Sequence, residues 1–233
     1  MPEHQIIALG GGGFSMEEST LLDDSILAAA RTDTPSICFV GTASGDSEVY
    51  RLRFYQRFGP ARCTCTHLPL FNRTIADLED FACSQDIIYV GGGNTANMLA
   101  VWRLHSFDTA IRAAYERGTV LAGVSAGSIC WFEHGVTDSF GTDLQGMTCL
   151  GLLPGSNCPH YDGEPNRRPT YHRLVAEGMP GGLAADDGVA LHYVDGELHR
   201  IVSSREGASA YRVELGTDGV TESGRDTTYL GDA

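Results

Sequence analysis

The sequence predicts an α/β protein: a doubly wound, mostly parallel sheet with helices on both faces and a C-terminal antiparallel hairpin. Two observations carry this. In the first half, short β-branched or aromatic runs alternate with segments of helical apolar spacing, as in a parallel sheet covered by helices. Later, GVALHYVDGELHRIVS alternates apolar and polar residues on either side of Asp195-Gly196, a dipeptide suited to a two-residue hairpin turn. At 233 residues, with no stretch that reads as a linker, the chain is expected to form one domain over 1–233.

The expected parallel strands are QIIAL (5–9), SICFVG (36–41), ARCTCTHL (61–68), DIIYVG (86–91) and TVLAGV (119–124). Between them LLDDSILAAAR, SEVYRLRFYQRFG, TIADLEDFAC, TANMLAVWRLH and FDTAIRAAYERG carry apolar residues near helical spacing. SAGSICWFE, from 125, also reads as helical. A glycine-rich, weakly patterned stretch follows at 141–166. A helix at about 170–177 then leads to the hairpin, expected at the sheet edge.

Composition narrows the chemistry. The formal charge of −14 opposes a phosphate-backbone partner, so nucleic-acid binding is disfavoured. All 16 basic residues are arginine, which removes Ser-Lys dyads, Schiff bases and the P-loop lysine. No apolar run approaches the ~20 residues of a spanning helix, so no membrane association is expected. MPEHQIIALGGGG lacks the pattern of an export signal, and seven scattered cysteines fit reduced thiols, so a cytoplasmic location is expected. CTCTH at 63–67 resembles a metal signature, but no further ligand lies nearby in the sequence. No metal or organic cofactor is implied.

Ligands of open α/β sheets bind outside the carboxyl ends of the strands, and two motifs follow strands. Gly123-Val124-Ser125-Ala126-Gly127 is a G-x-S-x-G segment after an apolar strand, the setting of a nucleophile elbow. The bland alternative is a small-residue turn in which Ser125 caps a helix. Ser128, one helical turn on, is expected to face packing. Gly91-Gly92-Gly93-Asn94-Thr95 also joins a strand to a helix, with Asn94 or Thr95 as cap and Asn94 counted among substrate-binding residues. The elbow supplies one oxyanion amide, from Ala126, and Gly93 is the natural second donor. GGGGFS at 10–15 fails as a dinucleotide fingerprint because Met16 or Ser15 stands where the third glycine is required.

A serine nucleophile needs a base. Of eight histidines, His160 in SNCPHYDGE lies in a loop beside acidic residues, a functional-looking setting. For the acid that orients it, Asp187 in LAADDGVALHY and Asp138 in GVTDSF both qualify, and spacing does not choose between them.

Together, IIYVGGGNTANML, GVSAGSICWF, a Pro-His dipeptide thirty-five residues after the serine and an acid-glycine pair before a late strand resemble the peptidase E family of serine peptidases. GGGGFSMEE with LLDD resembles the start of a glutamine-amidotransferase-like branch of it. The resemblance runs from about Ile6 to Tyr193 and implies Ser125 as nucleophile, His160 as base and the Gly93 and Ala126 amides as oxyanion hole. The family's third member is a glutamate in some enzymes, at the position of Asp187, and an aspartate corresponding to Asp138 is also associated with activity. Asp187 is therefore placed first and Asp138 second. The implied activity is hydrolysis of small peptides with N-terminal Asp through an acyl-enzyme. Arg167 or Arg168 in EPNRRP would hold the substrate carboxylate, since the family places an arginine in this loop. The competing expectations are a cyanophycinase-like β-aspartyl peptidase and a non-catalytic small-ligand-binding domain. The partner is a small peptide substrate, and the chain is a monomer or homodimer.

Overall fold

The computed structural model describes residues 3–232. The chain begins on β1 (Gln5–Leu9), then runs through α1 (Leu21–Leu27), β2 (Ser36–Val40), α2 (Glu48–Arg57), β3 (Thr64–His67), α3 (Leu78–Cys83), β4 (Ile87–Val90), α4 (Thr95–His105), α5 (Phe107–Glu116) and β5 (Val120–Val124). β1, β5, β4, β2 and β3 lie side by side in that order, each parallel to its neighbour. All five strands and five helices expected in this half are present.

Strand periodicity explains why helices cover both faces. Alternate residues of a strand point to opposite sides. Ile6 and Ala8 of β1, with Ile88 and Val90 of β4, share a core with Leu78, Leu99, Trp102 and Ile111 of α3, α4 and α5. Ile7 and Leu9, with Phe39 and Tyr89, pack instead against Ile26 of α1 and Phe54 of α2. Phe14, just past β1, joins this second core, its ring 5.0 Å from Tyr89 and 5.7 Å from Phe39. It pins the glycine loop 10–13 to the carboxyl end of the sheet.

The predicted hairpin is β10 (Val189–Val194) and β11 (Glu197–Ser203), with Asp195 and Gly196 both at positive φ, 50° and 83°, as a two-residue turn of this kind requires. β10 pairs antiparallel with β1, so the hairpin extends the parallel set at its edge.

Three expectations need correction. The helix read in SAGSICWFE is only α6 (Ala126–Ile129); the chain then enters β6 (Phe132–Thr137). The carbonyls of Cys130, Trp131 and Phe132 accept N–H groups of residues 150–153, and both aromatic rings are buried. The weakly patterned 141–166 stretch contains β7 (Gln145–Thr148) and β8 (Leu153–Cys158). With β9 (Gly182–Ala185), β12 (Ala210–Gly216) and β13 (Gly219–Arg225) these build an unexpected second sheet, ordered β13-β12-β9-β8-β6-β7. Small residues make such strands hard to read, yet they are required: a Cβ at Gly182 would collide with the Ser156 backbone across the β8–β9 pair. α7 (Arg167–Ala176) packs on this sheet, burying Tyr171 and Val175. The short β14 (Thr228–Tyr229) returns beside β11. No helix among the described residues is long and apolar enough to cross a membrane.

His192 of β10 makes stability pH-dependent. Its Nε2–H donates to Gln5 Oε1 (2.9 Å) and its Nδ1 accepts from Arg200 Nε (3.1 Å), so the ring is held neutral. Burial, then the nearby Arg200 and His199, lowers its pKa to about 4 from the ordinary 6.5. The unfolded chain therefore binds the extra proton first, and this stabilisation is present above pH 6.5 and lost as pH falls through 4. The span corresponds to about 3 kcal/mol. Asp23, raised to about 6 mainly by burial, acts in the opposite sense near pH 4–6. The informative quantity is thus a difference: His192→Gln should flatten the fall in denaturant stability between pH 7 and 4 relative to wild type, and parallel curves would contradict the assignment.

Candidate active site

The two strand-to-helix junctions and the glycine loop meet at the carboxyl end of the sheet. Ser125 follows β5 with φ 57° and ψ −111°, a conformation side-chain-bearing residues rarely adopt and one that costs on the order of 1–3 kcal/mol. The neighbouring glycines make this turn possible. A Cβ at Gly123 would strike the Gly127 carbonyl, and one at Gly127 would strike the Val90 carbonyl of β4. Strand, turn and helix therefore approach closer than any side chain allows, as a nucleophile elbow demands.

Ser125 and His160 hang from successive residues of β1 and its extension. The Ser125 N–H donates to Leu9 O (3.2 Å) and the His160 N–H to Gly10 O (3.0 Å). His160 is itself at positive φ, 53°. Its Nδ1 lies 2.6 Å from Asp187 Oδ1, which fixes the tautomer with the proton on Nδ1 and leaves Nε2 as the basic nitrogen. Neither Nε2 nor Ser125 Oγ has a hydrogen-bond partner among the described residues, and the two do not bond each other.

The carboxylate of Asp187 is packed between two glycines that sequence reasoning missed. A Cβ at Gly11 would collide with Oδ1 and approach His160 Nδ1 to 3.1 Å, while a Cβ at Gly163 would collide with Oδ2. The glycine run at 10–13, set aside as a failed dinucleotide loop, thus supplies the space in which acid and histidine meet. Its signal was glycine repetition at the end of the first strand. Asp138, the second candidate acid, is exposed and lines a separate cleft with Asp143, Glu164 and Asn166. It forms no ion pair with His160.

The loop after β4 lies against the serine: a Cβ on Gly92 would sit 3.3 Å from Ser125 Cβ. The N–H groups of Gly93 and Ala126 are not taken up by hydrogen bonds among the described residues. Gly93 has φ 136°, and a Cβ there would collide with the Ala43 carbonyl. Gly92 N–H donates to the Tyr50 hydroxyl (3.2 Å), and Asn94 N–H to Ala43 O (2.8 Å), holding the loop on both sides. Ser128, in contrast, is fully buried and donates to Asn157 Oδ1 (2.9 Å).

The three residues expected to contact substrate have structural engagements. Asn94 caps α4, accepting from Asn97 N–H (2.8 Å) and donating to Ser139 O (2.9 Å). Arg167 is buried, pairs with Glu164 (2.8 Å) and donates to Val136 O (2.9 Å), which corrects its expected place facing a substrate. Arg168 sits 4.7 Å and 4.6 Å from the ring centroids of Tyr161 and Tyr211 and pairs with Glu222 (3.0 Å), so its charge is already compensated.

Comparison with known proteins points the same way. A sequence profile of Peptidase family S51 matches residues 6–201. The chain is 51% identical over 229 residues to an uncharacterized peptidase, YgaJ, of Bacillus subtilis (strain 168), covering 97% of this chain and 99% of that one. It is 32% identical over 102 residues to peptidase E of Citrobacter koseri, covering 43% of each. Among solved structures, a peptidase from an acI-B1 actinobacterium superposes with TM-score 0.73 at 16% identity, covering 94% of this chain and 93% of that one. A putative peptidase E protein from Listeria monocytogenes EGD-e gives 0.65 at 17%, covering 84% and 97%. At these identities the structural likeness speaks for the fold.

Proposed function

The chain belongs to peptidase family S51, and on that footing we propose that it is a serine-type peptidase cleaving small peptides, with N-terminal Asp as the preferred residue. The observation that carries this is the strained Ser125 suspended beside a His160–Asp187 pair from one strand end. In the proposed reaction, His160 Nε2 takes the Ser125 proton as Oγ attacks the peptide carbonyl, and Asp187 stabilises the imidazolium. The amides of Gly93 and Ala126 bind the developing oxyanion. The imidazolium then protonates the leaving amine, and water, activated by the same histidine, hydrolyses the acyl-enzyme.

The aspartyl preference is the expectation that the resemblance to the peptidase E family implies, and it requires a guanidinium opposite the substrate carboxylate. With Arg167 and Arg168 committed elsewhere, Arg53 of α2 fits that role. It is exposed, makes no ion pair among the described residues, and its hydrogen bond is to Ser15 O (3.5 Å). Its helix carries Tyr50, which holds Gly92 beside the serine. A panel of Asp-X, Glu-X, β-Asp-X and Asn-X dipeptides tests both parts. Asp-X should be turned over best, and Arg53→Met should raise KM for Asp-X about tenfold or more, roughly 1.4 kcal/mol, while sparing Asn-X. No turnover of any dipeptide would refute the peptidase proposal; an unchanged preference in Arg53→Met would refute only the arginine.

A further inference from the structure

We propose that Arg205 and Asp162 form a clamp that positions Asp187 for catalysis, although neither touches the reacting atoms; the proposal rests on the triad assigned above. The clamp closes around the main chain of Asp187. Asp162 Oδ1 accepts the Asp187 N–H (2.9 Å), Arg205 Nε donates to the Asp187 carbonyl (3.2 Å), and the Arg205 Nη2 group pairs with Asp162 Oδ2. Both main-chain groups of the acid are thus held by one charged pair. The planar fork of the arginine makes this possible, since its Nε and Nη2 hydrogens point the same way and span a carbonyl and a carboxylate at once.

The two clamp residues come from opposite sides. Asp162 lies two residues after His160, and Arg205 belongs to the turn between β11 and β12. That turn runs alongside the acid's loop throughout: Ser204 N–H donates to Gly188 O (2.9 Å) and Asp186 N–H to Ser209 O (3.1 Å). Ser209 N–H in turn donates to Asp186 Oδ2 (3.0 Å). The clamp therefore ties the histidine's loop, the acid's loop and the entry to the second sheet into one unit. Such a tie is needed because Asp187 is a partly exposed loop residue, and a displacement of about 1 Å in a catalytic array can cost on the order of a hundredfold in rate. Burial raises the Asp162 carboxyl, but the bonds from Arg205 and the Asp187 amide outweigh it and hold it below its ordinary value. The bond to Asp162 correspondingly raises the guanidinium.

Arg205→Met, Arg205→Lys and Asp162→Asn should be compared with wild type by steady-state kinetics and by the proton NMR resonance of His160 Nδ1–H, which reports its hydrogen bond to Asp187. Arg205→Met should lower kcat about 10- to 100-fold with KM within about threefold. It should also weaken the downfield His160 Nδ1–H resonance, because a released Asp187 no longer holds that N–H at 2.6 Å. Arg205→Lys keeps the charge but loses the fork, so kcat should fall and the resonance weaken in it as well. Asp162→Asn, which retains an acceptor for the Asp187 amide but loses the ion pair, should fall between. Unchanged kcat in all three variants, or a selective rise in KM for acidic substrates alone, would overturn the clamp. The resonance needs no turnover: if no peptide is cleaved, a His160 Nδ1–H signal unchanged in Arg205→Met still counts against the clamp, independently of the peptidase proposal.

Discussion

Ser125→Ala should abolish peptide hydrolysis, lowering kcat by roughly 10⁴- to 10⁶-fold while leaving the melting temperature nearly unchanged. The Oγ atom has no hydrogen-bond partner among the described residues, so its removal orphans nothing. The strained main chain at φ 57° is kept by alanine as it is by serine, because the Gly123 and Gly127 contacts that impose it remain. Ser128→Ala is the instructive contrast. That hydroxyl is buried against Asn157, and deleting it leaves an amide oxygen short of a donor, at a cost of about 1–3 kcal/mol. Kinetics and thermal melts of both variants should therefore show activity lost without stability in one, and stability lost with activity largely kept in the other.

Asp187→Asn should cost roughly 10²- to 10⁴-fold in kcat, whereas Asp138→Asn should stay within about threefold. The carboxylate of Asp187 accepts the proton on His160 Nδ1 at 2.6 Å. An asparagine there can present its NH₂ instead, which favours the tautomer with Nε2 protonated and removes the base. Its added hydrogens must also fit between Gly11 and Gly163, where there is no spare room. Asp138 lies in another cleft and forms no ion pair with His160, so its amide should leave the histidine as it is. Rates measured on one peptide at saturating concentration would compare the two directly; a larger loss in the Asp138 variant would reassign the acid.

The contrast between these acids shows what a sequence does and does not reveal. The parallel strands were legible because each is a short apolar run bounded by turn residues, and buried parallel strands need nothing else. Ser125 was legible because the elbow is local: two glycines, a strand before and a helix after. The acid was placed first at Asp187 through the family resemblance and not through spacing, because its pairing joins positions 27 residues apart and depends on the room left at Gly11 and Gly163, which no spacing rule describes. The second sheet was hidden by its composition. Strands such as Leu153–Cys158 and Gly182–Ala185 contain small residues that allow close pairing and so carry little apolar alternation. Arg167 was expected to face substrate because the family places an arginine in this loop, whereas the helix starting there turns Arg167 inward to Val136 and Glu164 and leaves Arg168 on the tyrosines.

The most direct test of serine catalysis is covalent labelling followed by peptide mapping. A fluorophosphonate, which reacts with serines activated by a neighbouring base, should add one group per chain at Ser125, and His160→Ala should suppress the labelling. Labelling at Ser128 or another residue, or none under conditions where peptides are hydrolysed, would contradict Ser125 as the nucleophile.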